Sequence, residues 1–178
     1  MSSNSLSRSP ALRATGFALA IAIFSSVWLV VMTATGWYRD PDRMEIAIAV
    51  PIVEVILLVV ACWQARRDGW TISRRLFLCV AITLLAAVLS AGFAYAYTKS
   101  QENYFTHVQQ AHADGLRRMG KTDAEIATML ATHPIGTPKG FALNRFRNTI
   151  AFGVIGTLVG LLVTLRRRSG TVDATVGP

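Results

Sequence analysis

The sequence predicts an all-α integral membrane protein with four transmembrane helices and an extracytoplasmic amphipathic helical hairpin between the third and fourth. Three observations carry this. Of 178 residues, 52% are hydrophobic and only 16% charged, and the mean hydropathy is +0.42. Four apolar blocks approach the ~20 helical residues needed to cross about 30 Å of hydrocarbon. None of them alternates with period two, the pattern of a membrane barrel. Such totals disfavour disorder, collagen-like repeats and an ordinary soluble enzyme, and two cysteines make no disulfide scaffold.

The first block is Ala14 to Gly36, the second Ile46 to Trp63, the third Leu76 to Tyr97 and the fourth Thr149 to Leu165. The fourth is short, and the mixed stretch Phe141 to Asn148 can extend it into the headgroup region. Within the first block, Phe17 to Thr35 is uncharged over 19 residues, longer than a secretory signal core of about 7 to 15, so it reads as a retained anchor. The chain divides into a tail over 1–13, a four-helix domain over 14–165 that includes an outer segment over 98–148, and a basic stop with a tail over 166–178.

Lys and Arg placement predicts the orientation. One side carries Arg8, Arg13, Arg66, Arg67, Arg74, Arg75, Arg166, Arg167 and Arg168, nine basic residues against two acids, Asp68 and Asp173. The other side, Trp37 to Glu45 plus Thr98 to Asn148, has nine basic residues against seven acidic ones. Density and the four-arginine loop Gln64 to Arg75 place both termini in the cytoplasm; Arg145 and Arg147 pull mildly the other way. Trp37, Tyr38, Tyr95 and Tyr97 mark the outer boundary, Trp63 and Trp70 the inner one. The net charge of +8 is thereby topogenic and lipid-facing. No nucleic-acid partner is expected, because the cations form flanks and not a patch interleaved with stacking aromatics.

In the outer segment, Tyr104, Phe105, Val108, Ala111, His112, Gly115, Leu116 and Met119 recur at three- and four-residue steps, an amphipathic helix ended by Gly120. Thr122-Asp-Ala-Glu125 has capping-box spacing and starts a second helix with Ile126, Met129 and Leu130 on its apolar face. Pro134 to Gly140 reads as an ordered turn or loop. The hairpin serves as a cap over the bundle or as a lid that binds a partner or ligand.

Glu54 is the one charged residue inside a span, three residues after Pro51. An ionised acid at the midplane costs about 2.5 to 3.5 kcal/mol, so it needs a proton or a partner. Aligned by depth, Ser25, Ser26 and Thr157 fall in its layer, and Pro51 releases the carbonyl of Ala47 as a further acceptor. This layer is a structural register, a path for protons or cations, or a binding site for a lipid or small cation. Gly153, Gly156 and Gly160 give the fourth span a small-residue face for helix packing, within the chain or against a second copy. Cys62 and Cys79 read as small buried apolar residues. His107, His112 and His133 lack the spacing of a metal site, and no metal or cofactor is expected. HExxH, GxSxG, GxxxxGK[ST] and CxxC are all missing, so no enzyme is expected.

Arg67-Asp-Gly-Trp-Thr-Ile-Ser73, Gly120-Lys-Thr-Asp-Ala-Glu-Ile126 and Phe152-Gly-Val-Ile-Gly-Thr-Leu-Val-Gly160 ending at Arg166-Arg-Arg168 resemble the bacterial domain-of-unknown-function 4199 family. The resemblance covers roughly Ala14 to Arg168. It implies four helices in a bacterial inner membrane and no assigned catalytic or ligand residue. The resulting expectation is a non-enzymatic protein that acts by interaction, as accessory subunit, assembly factor or scaffold. Its partners are the lipid bilayer and a membrane protein or a second copy. The competing reading is a small proton- or cation-coupled carrier or channel using Glu54.

Overall fold

The computed structural model describes residues 9–40, 43, 45–132 and 136–166, all helix, turn or short connection. Arg8, His133, Pro134, Arg167, Arg168 and the tail beyond them lie outside the described residues. Helix α1 spans Pro10–Ala34, α2 Ala49–Arg67, α3 Ile72–Ser100, α4 Tyr104–Arg118, α5 Asp123–Thr132 and α6 Pro138–Arg166. Short 3-10 turns at Trp37–Arg39 and Glu45–Ile48 join α1 to α2. Four of the helices, α1, α2, α3 and α6, are long and apolar enough to cross a membrane.

Local chemistry sets the helix ends. Ser9 caps α1, its hydroxyl accepting from the Leu12 amide at 3.3 Å, with Pro10 in the first turn where its missing N–H is harmless. Helix α2 closes through the Gly69 amide on the Arg66 carbonyl and the Trp70 amide on the Ala65 carbonyl, with Gly69 at φ +77°, a left-handed stop that suits glycine. Thr71 caps α3 at once. The expected inner loop of twelve residues, Gln64 to Arg75, is therefore mostly helix, and Arg75 belongs to α3.

The other large correction concerns α6. Pro138 to Gly140 form its first turn and not a loop: the Thr137 hydroxyl accepts from the Gly140 amide at 3.1 Å and Pro138 takes the first helical position. Phe141 to Asn148 thus belong to a continuous 29-residue helix.

Helices α1 and α3 run parallel, as the Thr33–Tyr97 hydroxyl contact at 2.5 Å near both C-termini shows. Helix α6 runs opposite to α3 and packs closely on both α2 and α3, while α1 packs on α3 and, less extensively, on α2. Two bundle ends result: a hairpin end, carrying α4 and α5, and a basic-loop end, where the turn 68–71 is flanked by Arg66, Arg67, Arg74 and Arg75.

Small side chains dominate the core. Ala18, Ala61, Cys62, Ala65, Cys79 and Ala86 are fully buried. Large apolar groups face outward, among them Ile23 (60% exposed), Phe77 (71%) and Leu162 (63%). Water would make that surface an aggregation site, whereas hydrocarbon matches it, and close helix contact then depends on small residues.

The hairpin is folded as its sequence indicates. Gly120 takes φ +79°, and the Lys121 amide reaches back to the Leu116 carbonyl at 3.1 Å. Glu125 accepts from the Thr122 amide at 2.9 Å while the Thr122 hydroxyl accepts from the Glu125 amide at 3.4 Å, a reciprocal capping box. Ala113, Leu116 and Ile126 join α4 to α5. Met119 and Met129 depart from the expected apolar faces, being 73% and 41% exposed.

Candidate functional site

Glu54 is the sixth residue of α2, in the half of that helix toward the hairpin end. Pro51 falls in the first turn of that helix, where no intrahelical N–H is required. Its hydrogen-bond partners differ from the hydroxyls expected in its layer. Arg145, in the second turn of α6, donates through Nη2 to Glu54 Oε1, and the Thr149 hydroxyl donates to the same oxygen at 3.3 Å. Glu54 is 2% exposed and the Arg145 side chain 17%. An opposite charge is the partner a carboxylate needs in a low-dielectric bundle, and Thr149 adds a second donor.

Ser25, Ser26 and Thr157 do not supply that partner. The Thr157 hydroxyl donates to the Gly153 carbonyl at 2.7 Å, satisfying itself on its own helix. Ser25 and Ser26 line a cavity that Arg145 also reaches. Among the described residues, Glu54 Oε2 and Arg145 Nε have no hydrogen-bond partner.

Helix α6 carries one continuous stripe, Arg145, Thr149, Gly153, Gly156, Gly160 and Thr164, at three- and four-residue steps. Its glycines are occupied within the chain. A Cβ on Gly153 would collide with the Thr83 side chain; on Gly156 it would stand 3.2 Å from the Val55 Cα, and on Gly160 3.0 Å from the Cys62 Cβ. Of the two uses expected for the glycine face, packing against α2 and α3 is the one observed, and this face is not open to a second copy.

A second buried polar contact closes the stripe at the basic-loop end. Arg75, expected among the topogenic loop arginines, is only 6% exposed and donates through Nη1 to the Thr164 hydroxyl at 2.7 Å. Cys62 and Cys79 are buried free thiols beside it, with Cys62 Sγ 3.8 Å from Thr164 Oγ1. Both arginines had a sequence signal. Arg145 is four residues before Thr149 and Arg75 four before Cys79, each on its helix's inward face.

The cavity lies at the hairpin end, with a volume of about 170 Å³. Ser25, Ser26 and Trp28 of α1, Phe93 of α3 and Arg145 of α6 line it. Tyr38 and Tyr104 roof it, stacked with ring centroids 5.0 Å apart, and Phe141 meets Tyr104 edge-on at 6.0 Å. Burial, with Tyr38 and Tyr97 nearby, holds the Tyr104 phenol above the ordinary tyrosine range. His107 stands edge-on to Tyr38, and among the described residues no three His, Cys, Asp or Glu side chains converge.

An all-helical bundle with an apolar exterior and four helices long and apolar enough to cross a membrane is the architecture that suggests a membrane protein. The family described as protein of unknown function DUF4199 matches residues 16–166, and the chain belongs to it. No curated protein and no solved structure matches the chain.

Proposed function

We propose that this is a non-enzymatic, multi-pass protein of a bacterial inner membrane that acts by interaction, as an accessory subunit, assembly factor or scaffold. Both termini lie in the cytoplasm and the hairpin faces outward. The observation that carries the reading is the hairpin itself. It buries Tyr104, Val108, Leu116 and Ile126 while leaving Met119 and Met129 exposed beyond the spans. Methionine is an adaptable apolar contact, suited to a partner surface. The glycine face, occupied by α2 and α3, takes no part.

Native mass spectrometry in lipid discs, with a photo-crosslinking residue at Met119, tests this. A specific adduct that Met129→Glu abolishes is expected; free monomer without a crosslink overturns it. Orientation is tested separately by cysteine labelling in intact cells, where a cysteine at Lys121 is expected to react with an impermeant reagent and one at Asp68 is not.

Proton or cation transport through Glu54 is the second reading, favoured by the position of Arg145 between that carboxyl and the cavity. A liposome flux assay decides it: Glu54→Gln abolishes flux if the reading holds, and unchanged flux removes it.

A further inference from the structure

Ser90, Thr98 and Thr157 each satisfy their hydroxyls on their own helix, donating to the carbonyl four residues back at 2.6 to 2.7 Å. Ser25 and Ser26 of α1 make no such bond, and among the described residues the Tyr104 hydroxyl has no partner either. Packing seals Trp28 Nε1 and Arg145 Nε, but it does not seal these three hydroxyls, and all three residues line the hairpin-end cavity. Ser25 and Tyr104 are more than nine-tenths buried, at 8% and 5% exposure.

The three hydroxyls stand at two ends of the cavity. Ser25 and Ser26 lie deep on α1 and Tyr104 in the roof, and the α1 wall from Ser25 to Met32 runs about 10 Å at 1.5 Å per residue. Between the ends the wall is aromatic, with Trp28, Phe93 and Phe141 joining the stacked Tyr38 and Tyr104. Water fits this poorly. The volume of about 170 Å³ corresponds to about five or six waters at ~30 Å³ each, and every one needs two to four polar partners, more than three hydroxyls supply. An aromatic ring fits well, since an apolar cavity of about 150 Å³ takes one benzene, and ring faces and edges pair favourably. Arg145, the charged residue of the wall, is already balanced by Glu54, so the site does not call for an anion.

We propose that this cavity is a binding site for the ring of a membrane-soluble p-quinone or its quinol. One ring oxygen bonds at the Ser25–Ser26 end and the other at the Tyr104 hydroxyl, with the ring held against the aromatic wall. A hydroxyl both donates and accepts, so the two redox forms share this chemistry: the quinone carbonyls accept from the three side chains, and the quinol hydroxyls donate to them. Ser26 and Phe93 also lie on the outer side of α1 and α3, which gives such a ring its entrance and its substituents room.

Isothermal titration of the full-length protein in dodecyl maltoside with tetramethyl-p-benzoquinone tests this, the four methyl groups blocking addition to Cys62 and Cys79. Saturable binding of about one ring per chain is expected. Ser25→Ala and Tyr104→Phe each remove one hydroxyl and weaken it about fivefold, the effect of one hydrogen bond. Because neither hydroxyl has a partner within the bundle, the thermal midpoints of both variants do not fall, which separates a ligand contact from a structural one. Tighter binding of the quinone or of tetramethylhydroquinone names the preferred redox form, and either supports the site. Absence of saturable binding, equal competition by 1,2,4,5-tetramethylbenzene, or wild-type affinity in both variants overturns it.

Discussion

Glu54 and Arg145, 91 positions apart in the chain, form an ion pair between α2 and α6 inside the apolar bundle. The pair joins two helices that run in the same direction and sets the register of the α6 stripe. Below it, Gly153, Gly156 and Gly160 allow backbone contact with α2 and α3, and Thr164 meets Arg75 at the far end. Charge at one end, glycine in the middle and an arginine–hydroxyl contact at the other place α6 uniquely.

The glycine contact predicts a sharp contrast between two substitutions. Gly156→Ala places a Cβ 3.0 Å from Leu58 Cδ1 and 3.2 Å from the Val55 Cα, so the helices must part, at a cost of about 1 to 3 kcal/mol. Gly92→Ala on α3 meets nothing within 4 Å and improves helix propensity, so it is neutral or stabilising. Thermal unfolding in detergent should show a lowered midpoint for the first alone.

Thr164 and Arg75 predict an asymmetry. Thr164→Val leaves a buried guanidinium without its acceptor and costs about 1 to 3 kcal/mol. Arg75→Met removes the charge along with its need for a partner and is near neutral, and in the double variant the Thr164→Val cost largely disappears. Chemical denaturation midpoints of the three variants check this. Equal losses from both single changes would contradict it.

The capping box gives the hairpin an acid-sensitive joint. Hydrogen bonds from Thr122 and the nearby Lys121 lower the Glu125 carboxyl below its ordinary 4.5. A lowered folded value means the contribution is complete above 4.5 and fades as pH falls through the depressed value. The protection factors of the Thr122 and Glu125 amides, which divide out the intrinsic pH dependence of exchange, should therefore stay level from neutrality to about pH 5 and fall in stronger acid. Glu125→Gln, which retains an acceptor without the charge, should flatten that profile.

Much of this architecture is legible in the sequence because hydrocarbon imposes length and apolarity directly. All four spans, the hairpin, the Gly120 stop and the Thr122–Glu125 box follow from spacing alone. The helix ends were less legible. Pro138 punctuates a loop or begins a helix with equal ease, and only its Thr137 cap decides. The extension of the fourth span through Phe141 to Asn148 is legible, but Arg145 within it still reads as a flanking cation, because the sequence does not show that its side chain turns inward to Glu54. Arg75 reads the same way, as a loop cation, until Thr71 caps α3 before it. Glu54 reads in the sequence as a charge in need of an answer, but its partner is a tertiary fact, set by how far α2 and α6 extend toward the hairpin.

The most direct test of this account is a double-mutant cycle on Glu54 and Arg145, measured as unfolding free energy in lipid-like detergent. Removing one partner leaves a buried charge uncompensated, so Glu54→Gln and Arg145→Gln should each cost about 3 to 5 kcal/mol. The double variant should lose less than either single one, giving a large coupling term. Additive losses, or single variants as stable as the wild type, would show that the two side chains do not hold the bundle together.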